Sequence, residues 1–243
     1  MLAKTKGIVL KQIKYSDKSN IVTVLTRDFG KKSFLVYGIN SRTKGKLLRN
    51  ILQPMFIVNL EFYYKETQTL GKIKELSLAY PYKNIILNFN KKATLIFLSE
   101  VVDNALMEHF ADQALFDFVC NALKLFDEQI DNYVNFNLAF LAGFMKFLGI
   151  EPVNNFDEHN CYFSIPDGTF KPVYVPQLSF SKAESQYFGQ LLQAGLNDYE
   201  TLSFNRQIRN GLLHKILGYY QYHIDNFGKI NSLDVLHEFY DTK

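Results

Sequence analysis

The spacing of apolar residues changes once along this chain, at Ala79-Tyr80-Pro81-Tyr82. Before that point apolar side chains recur at every second residue; beyond it they recur at every third or fourth. Alternation sends successive side chains to opposite faces of a strand, whereas the longer spacing gathers them on one stripe of a helix. A chain that changes period once, beside a proline, is predicted to fold as two parts: strands over 1–80 and helices over 81–243.

Five strands are predicted in the first part. The first runs from Gly7 to Tyr15 and the second from Asn20 to Arg27. After the tight connection Asp28-Phe29-Gly30-Lys31, a third runs from Lys32 to Ile39. Met55 to Tyr64 is the clearest, with Phe56, Val58, Leu60, Phe62 and Tyr64 sharing one face. Gly71 to Leu78 is a weaker fifth. Leu47, Leu48, Ile51 and Leu52 have helical spacing, and Pro54 ends that piece. Five strands with a small helix between the third and fourth match a five-stranded Greek-key barrel of the OB type. The class is therefore α+β: an N-terminal OB-fold barrel, then an all-helical domain.

In the second part, Phe89, Ala93, Ile96, Phe97 and Val101 mark a helix between Asn84 and His109. Leu115, Val119, Leu123, Phe126 and Ile130 mark another. Phe136 to Leu148 is apolar nearly all round, so it is predicted as the buried centre, with Gly149 and Pro152 ending it. A small irregular insertion follows over 154–176. It holds three prolines and an Asp167-Gly168 turn, and reads as a hairpin laid on the helices. Ser181 with Glu184 forms a capping box for the next helix. Asn205 to Asp225 is a final long helix, and Ser232 to Tyr240 a short terminal segment.

Charge is divided between the parts. Residues 1–80 hold 15 Lys and Arg against 5 Asp and Glu; residues 81–243 hold 12 against 19. No acidic residue falls between Gly30 and Leu60, and the loop after Gly38 carries Arg42, Lys44, Lys46 and Arg49. A long one-sign run is either a solvated loop or a surface for a polyanion, and phosphate is the leading candidate. The expected DNA contacts are Lys11, Lys14, Lys31, Lys32, Arg42, Lys44, Lys46 and Arg49. Phe34, Tyr37, Tyr63 and Tyr64 lie near them in sequence, as barrel core or as stacking platforms.

Several function classes lose support. No phosphate loop exists, because the position needing glycine before Gly45-Lys46 is Asn40 and before Gly30-Lys31 is Leu25. Neither G-x-S-x-G nor H-E-x-x-H occurs. Asp157-Glu158-His159-Asn160-Cys161 lacks paired metal-ligand spacing and reads as a polar loop. The two cysteines, Cys120 and Cys161, cannot supply four thiolates, and a reducing compartment suits them. No apolar stretch reaches the length of a membrane span. The expectation is a soluble cytoplasmic protein without catalysis or cofactor.

Motifs then recur in a definite order. Gly7-Ile8-Val9-Leu10, Tyr15, Ile21-Val22, Thr26 and Gly30 come first, then Gly38 and Arg42, then Leu52-Gln53-Pro54. Later come Leu98-Ser99-Glu100-Val101-Val102-Asp103, Phe147-Leu148-Gly149-Ile150-Glu151-Pro152, and Tyr219-Tyr220 with His223. Together they resemble the bacterial RecO recombination-mediator family across essentially the whole chain. The resemblance implies binding of single- and double-stranded DNA and annealing of complementary strands. It also implies cooperation with RecR in loading RecA onto DNA coated by single-strand-binding protein (SSB). The helical domain would recognise the acidic SSB tail, and Arg206, Arg209 and Lys215 are the cations chosen for it. The other class is a protein-binding adaptor with no DNA contact. Many family members carry four cysteines in the insertion as a zinc site. Here Cys161 alone stands there, so no zinc is expected and packing of Tyr162, Phe163 and Phe170 must hold the insertion.

Overall fold

The computed structural model describes residues 1–39, 41, 44–65, 70–107 and 111–241, with Lys44 and residues 237–241 as backbone only. The expected Arg42 contact lies outside the described residues. Two compact units emerge, one of residues 1–127 with 229–243 and one of residues 128–228.

The first unit begins with five strands: β1 (Leu2–Lys14), β2 (Ser19–Thr26), β3 (Gly30–Tyr37), β4 (Ile57–Tyr63) and β5 (Leu70–Leu78). They close into a barrel of order β1-β2-β3-β5-β4. Strand β1 starts five residues earlier than its apolar pattern suggests, since Lys4 and Lys6 interrupt it. Its first half pairs with β4, Leu2 opposite Tyr63, and its second half with β2, Lys14 opposite Asn20. The barrel shuts through a short parallel pairing of β3 with β5, where Phe34 lies opposite Gly71. A Cβ on Gly71 would come within 2.7 Å of the Phe34 ring, so the closure requires glycine there.

Alternation fills the barrel. Val22 and Val24 of β2, Phe34 and Val36 of β3, and Val58, Leu60 and Phe62 of β4 form one buried cluster. The helix α1 (Lys44–Ile51) lends Ile51 to that cluster, with the adjoining Leu52, while its Leu47 faces solvent. Phe56, expected to share a face with Val58, Leu60 and Phe62, stands outside their buried cluster. It precedes β4 and packs against Tyr82, ring centroids 5.2 Å apart. Glu61, on the face opposite Leu60 and Phe62, is 8% exposed and held by Lys74 at 2.7 Å and Lys4 at 3.3 Å from the flanking strands.

The same unit contains α2 (Phe89–Ala105) and α3 (Gln113–Glu128, whose last residue begins the second unit). Leu115, Val119, Leu123 and Phe126 form the predicted buried stripe, but Ile130 lies past the helix end and is exposed. The boundary expected at residue 80 therefore does not divide the compact units, because long-range polar contacts fasten α2 and α3 to the barrel. Arg27 donates twice to Asp117, each bond 3.0 Å long. Lys31 reaches Asp103, and the Tyr82 hydroxyl donates to the Met55 carbonyl at 2.7 Å.

The second unit is built around α4 (Phe136–Phe144), buried on almost every side and continued by a 3-10 turn that Gly149 ends at φ +72°. The expected hairpin is present as β6 (Tyr162–Ser164) and β7 (Thr169–Lys171), with Gly168 turning at φ +64°. Phe163 sits among Phe170, Phe180, Phe188 and Tyr219, at centroid distances of 5.1, 5.0, 4.7 and 5.5 Å. Helix α5 (Lys182–Ala194) carries the Ser181–Glu184 capping box, and α6 (Arg206–His223) completes the unit. The chain then returns to the first unit as α7 (Ser232–Asp241).

Candidate nucleic-acid interface

The turn from β1 to β2 and the start of the basic loop meet at one end of the barrel. The Gly38 amide donates to the Lys18 carbonyl at 3.0 Å, and Ser19 pairs with Tyr37 across β2 and β3. This brings Lys14, Tyr15, Lys18 and Tyr37 beside the stem of the loop. Tyr15 and Tyr37 are more than half exposed. An exposed aromatic ring beside unburied ammonium groups is what a single strand can stack on while its phosphates are neutralised. The outer face of these strands continues the surface with Ile13, which is exposed, and the half-buried Ile21 and Leu35.

The basic loop is tied at its root. Ser41 Oγ accepts from the Gly45 amide at 2.9 Å, and Arg49 Nη1 donates to the Ile39 carbonyl. Arg49 thus clamps the loop across α1 while staying exposed. Lys46 stands exposed on α1, with no carboxylate paired to it among the described residues.

Other expected contacts are engaged elsewhere. Lys31 Nζ donates to the Asp103 backbone carbonyl at 2.7 Å and lies 3.4 Å from its carboxylate, with a side chain only 12% exposed. Lys11 Nζ is 3.8 Å from the same carboxylate but half exposed. Lys14 pairs with Asp17 at 3.0 Å, both groups in solvent, where such a pair is weak. Lys31 and Lys32, adjacent in sequence, face opposite sides of β3. Lys32 lies at the barrel mouth, 5.6 Å from the centre of the Tyr64 ring. Of the four aromatics near the basic residues, Phe34 is core, Tyr64 packs on Phe29, and Tyr63 is exposed where β4 meets the start of β1. Tyr37 is the one beside the loop.

Sequence reading therefore missed Tyr15 and Lys18. The signal available was the polar turn itself, since in barrels of this topology the first inter-strand loop borders the binding face.

On α6, Arg206, Arg209 and Lys215 do not converge. Lys215 is nine residues beyond Arg206, about two and a half turns, which puts it on the opposite side of the helix. Arg209 Nη1 donates to the Phe204 carbonyl at 2.7 Å, and Lys215 lies between Glu184 and the Phe180 ring. A better apolar recess beside a cation lies in the first unit. Pro54, Phe56, Ile86, Leu95 and Ile96 line a groove of about 430 Å³ with Lys92 at its edge. Ile86, Leu87, Phe89 and Ile96 around it are all exposed.

Cys120 and Cys161 are free and buried. No three His, Cys, Asp or Glu side chains gather as a metal site among the described residues. No described helix is long and apolar enough to cross a membrane.

Comparison with known proteins agrees with this architecture. A family model described as "Recombination protein O N terminal" matches residues 1–82, and one described as "Recombination protein O C terminal" matches residues 87–233. The chain is 35% identical to the DNA repair protein RecO of Bacteroides fragilis over 99% of this chain and 100% of that one. It is 33% identical to that of Flavobacterium psychrophilum, over 98% and 99%. For that of Azobacteroides pseudotrichonymphae the identity is 32%, over 99% and 100%. With both family models matched in order and full-length relatives on every side, the chain belongs to the RecO family of DNA repair proteins.

Proposed function

We propose that this chain binds single- and double-stranded DNA at the barrel end where the β1–β2 turn meets the basic loop. There it anneals complementary strands and, with RecR, helps load RecA onto SSB-coated DNA. The observation that carries the reading is the junction of Lys18 with Gly38. It sets two exposed tyrosines beside Lys14, Lys18 and the exposed Lys46, with Asp17, paired to Lys14, as the carboxylate of that turn. One cationic surface that holds two strands by their phosphates lowers their repulsion and leaves the bases free to pair.

The test is a salt titration of oligonucleotide binding by the full chain. Replacing Arg42, Lys44 and Lys46 together with Ala should weaken binding and reduce the log–log salt slope by about 2 to 3. Tyr37→Ala should weaken single-strand binding by about 1 to 3 kcal/mol and duplex binding far less, since only unpaired bases can stack. An unchanged slope in the triple variant rejects the site.

A second reading, protein docking, is favoured by the groove beside Lys92. It joins an apolar recess to a cation, the combination expected for the acidic SSB tail, whereas the cations chosen on α6 do not converge. If the SSB tail docks in this groove, Lys92→Ala weakens a tail peptide and Arg209→Ala does not; the reverse result returns the site to α6. Filter binding with single strands separates both from an adaptor that never touches DNA.

A further inference from the structure

At the other end of the β1–β2 ladder, a cleft of about 520 Å³ opens between the barrel and α3. Its helical wall joins the buried Phe116 to Asp117, Cys120, Asn121 and Lys124, which recur at the spacing of one helix face. The buried stripe of α3 is Leu115, Val119, Leu123 and Phe126, so these polar residues stand on the adjoining face, turned to a space that a polar ligand can enter. Across the cleft lie Lys6 of β1, Arg27 just after β2, and Tyr80.

The charges are unevenly satisfied. Arg27 is held by its two bonds to Asp117, and its Nη1 lies 3.9 Å from Asp28. Lys124 lies 5.8 Å from the centre of the Tyr80 ring. Neither Lys6 nor Lys124 pairs with a carboxylate among the described residues. Three cations against Asp28 and Asp117 leave the lining positive. Lys124, Lys6 and Arg27 act to lower the Cys120 pKa and Asp117 acts to raise it, so all four charges lie near this wall. Burial outweighs them and pushes the Cys120 thiol up to about 11, so thiolate chemistry has no part here.

We infer that this cleft binds a single phosphate-bearing nucleotide unit, with Lys6 and Lys124 on the phosphate, the fixed Arg27 edge beside them, and Tyr80 as a flat wall for the ring. The space suits one small ligand and is too short for a run of strand. Ammonium groups on flexible stems meet phosphate as point charges, and the anchored guanidinium supplies direction. The shared chemistry has two sources, a free nucleoside monophosphate or the phosphorylated end of a strand. The site is distinct from the basic loop and does not depend on it.

The test is calorimetric titration of the full chain with thymidine 5′-monophosphate and, separately, with thymidine. The nucleotide should bind at least about tenfold tighter, and Lys6→Ala and Lys124→Ala should each weaken it about tenfold, the loss of one charge-assisted hydrogen bond. Both lysines reach solvent, so melting temperatures should hold, and Lys124→Arg should recover much of the affinity. Equal binding of the two ligands, no binding of either, or nucleotide affinity untouched by Lys124→Ala overturns the inference. The variant lacking Arg42, Lys44 and Lys46 should bind the nucleotide normally, so failure of the loop and failure of the cleft are told apart. Oligonucleotides with and without a 5′-phosphate then identify the source. Better displacement of nucleotide by the phosphorylated one sustains the cleft as a strand-end site, and equal displacement sustains it as a site for the free nucleotide.

Discussion

Asp127 is 1% exposed, yet it is a carboxylate at the end of a helix stripe. Its oxygens accept from the backbone amides of Lys83, Asn84 and Ile85 at 2.9–3.2 Å, fixing the chain where strands give way to helices. Asp127→Ala should lower the unfolding free energy by about 3 kcal/mol, measured by urea denaturation, because three amides lose a charged acceptor. Nothing in the sequence announced this role. Its partners lie more than forty residues upstream, and an acid there reads as a solvated helix face. The same holds for Lys31, which counts as one basic residue among many until Asp103 is found against it. The acid-free run that holds Arg42, Lys44 and Lys46 was visible because such a run needs no tertiary knowledge to be seen. Gly71 was legible only as a weak strand residue. Gly71→Ala should cost about 1–3 kcal/mol, read from a thermal melt, since the rigid Phe34 ring cannot yield as a flexible side chain would.

At the scale of elements, local pattern carried far. The strands, the helix between β3 and β4, the capping box at Ser181 and the hairpin at Gly168 were all readable from spacing and turn chemistry. The hairpin is held by rings around Phe163, which is wholly buried. Phe163→Ala should destabilise by about 3–5 kcal/mol, while a chelator should leave the melting temperature unchanged. A fall in melting temperature with the chelator would mean that a metal, not packing, holds the segment. The terminal helix depends on one distant carboxylate. Glu100 of α2 accepts from the amides of Asn231 and Ser232 and from both their side chains, capping α7. Burial pushes the Glu100 carboxyl up, but these four hydrogen bonds outweigh it and hold the pKa below the ordinary glutamate value. The contribution is therefore complete above the ordinary value, about 4.3, and is lost as pH falls through the depressed one. Amide exchange in α7 should accelerate across that acid window, and Glu100→Gln should abolish the pH dependence.

At the scale of the whole chain, the contrast between a cationic front and an acidic remainder is only partly a division of labour. Asp103 and Asp117, from the acid-rich part, neutralise Lys31 and Arg27 within one compact unit. A fragment of residues 1–80 loses both partners and the Tyr82 hydroxyl on Met55. It should melt well below the barrel of the full chain, as followed by circular dichroism, whereas residues 1–127 should recover much of the difference. The sequence by itself determined the kind and order of the elements and the barrel type, because periodicity, caps and turns act within a few residues. Tertiary structure alone decided which cations remain free for a ligand and where the compact units divide. Those outcomes rest on charges that meet across 72 and 90 residues of chain, and no local pattern records which pairs will meet.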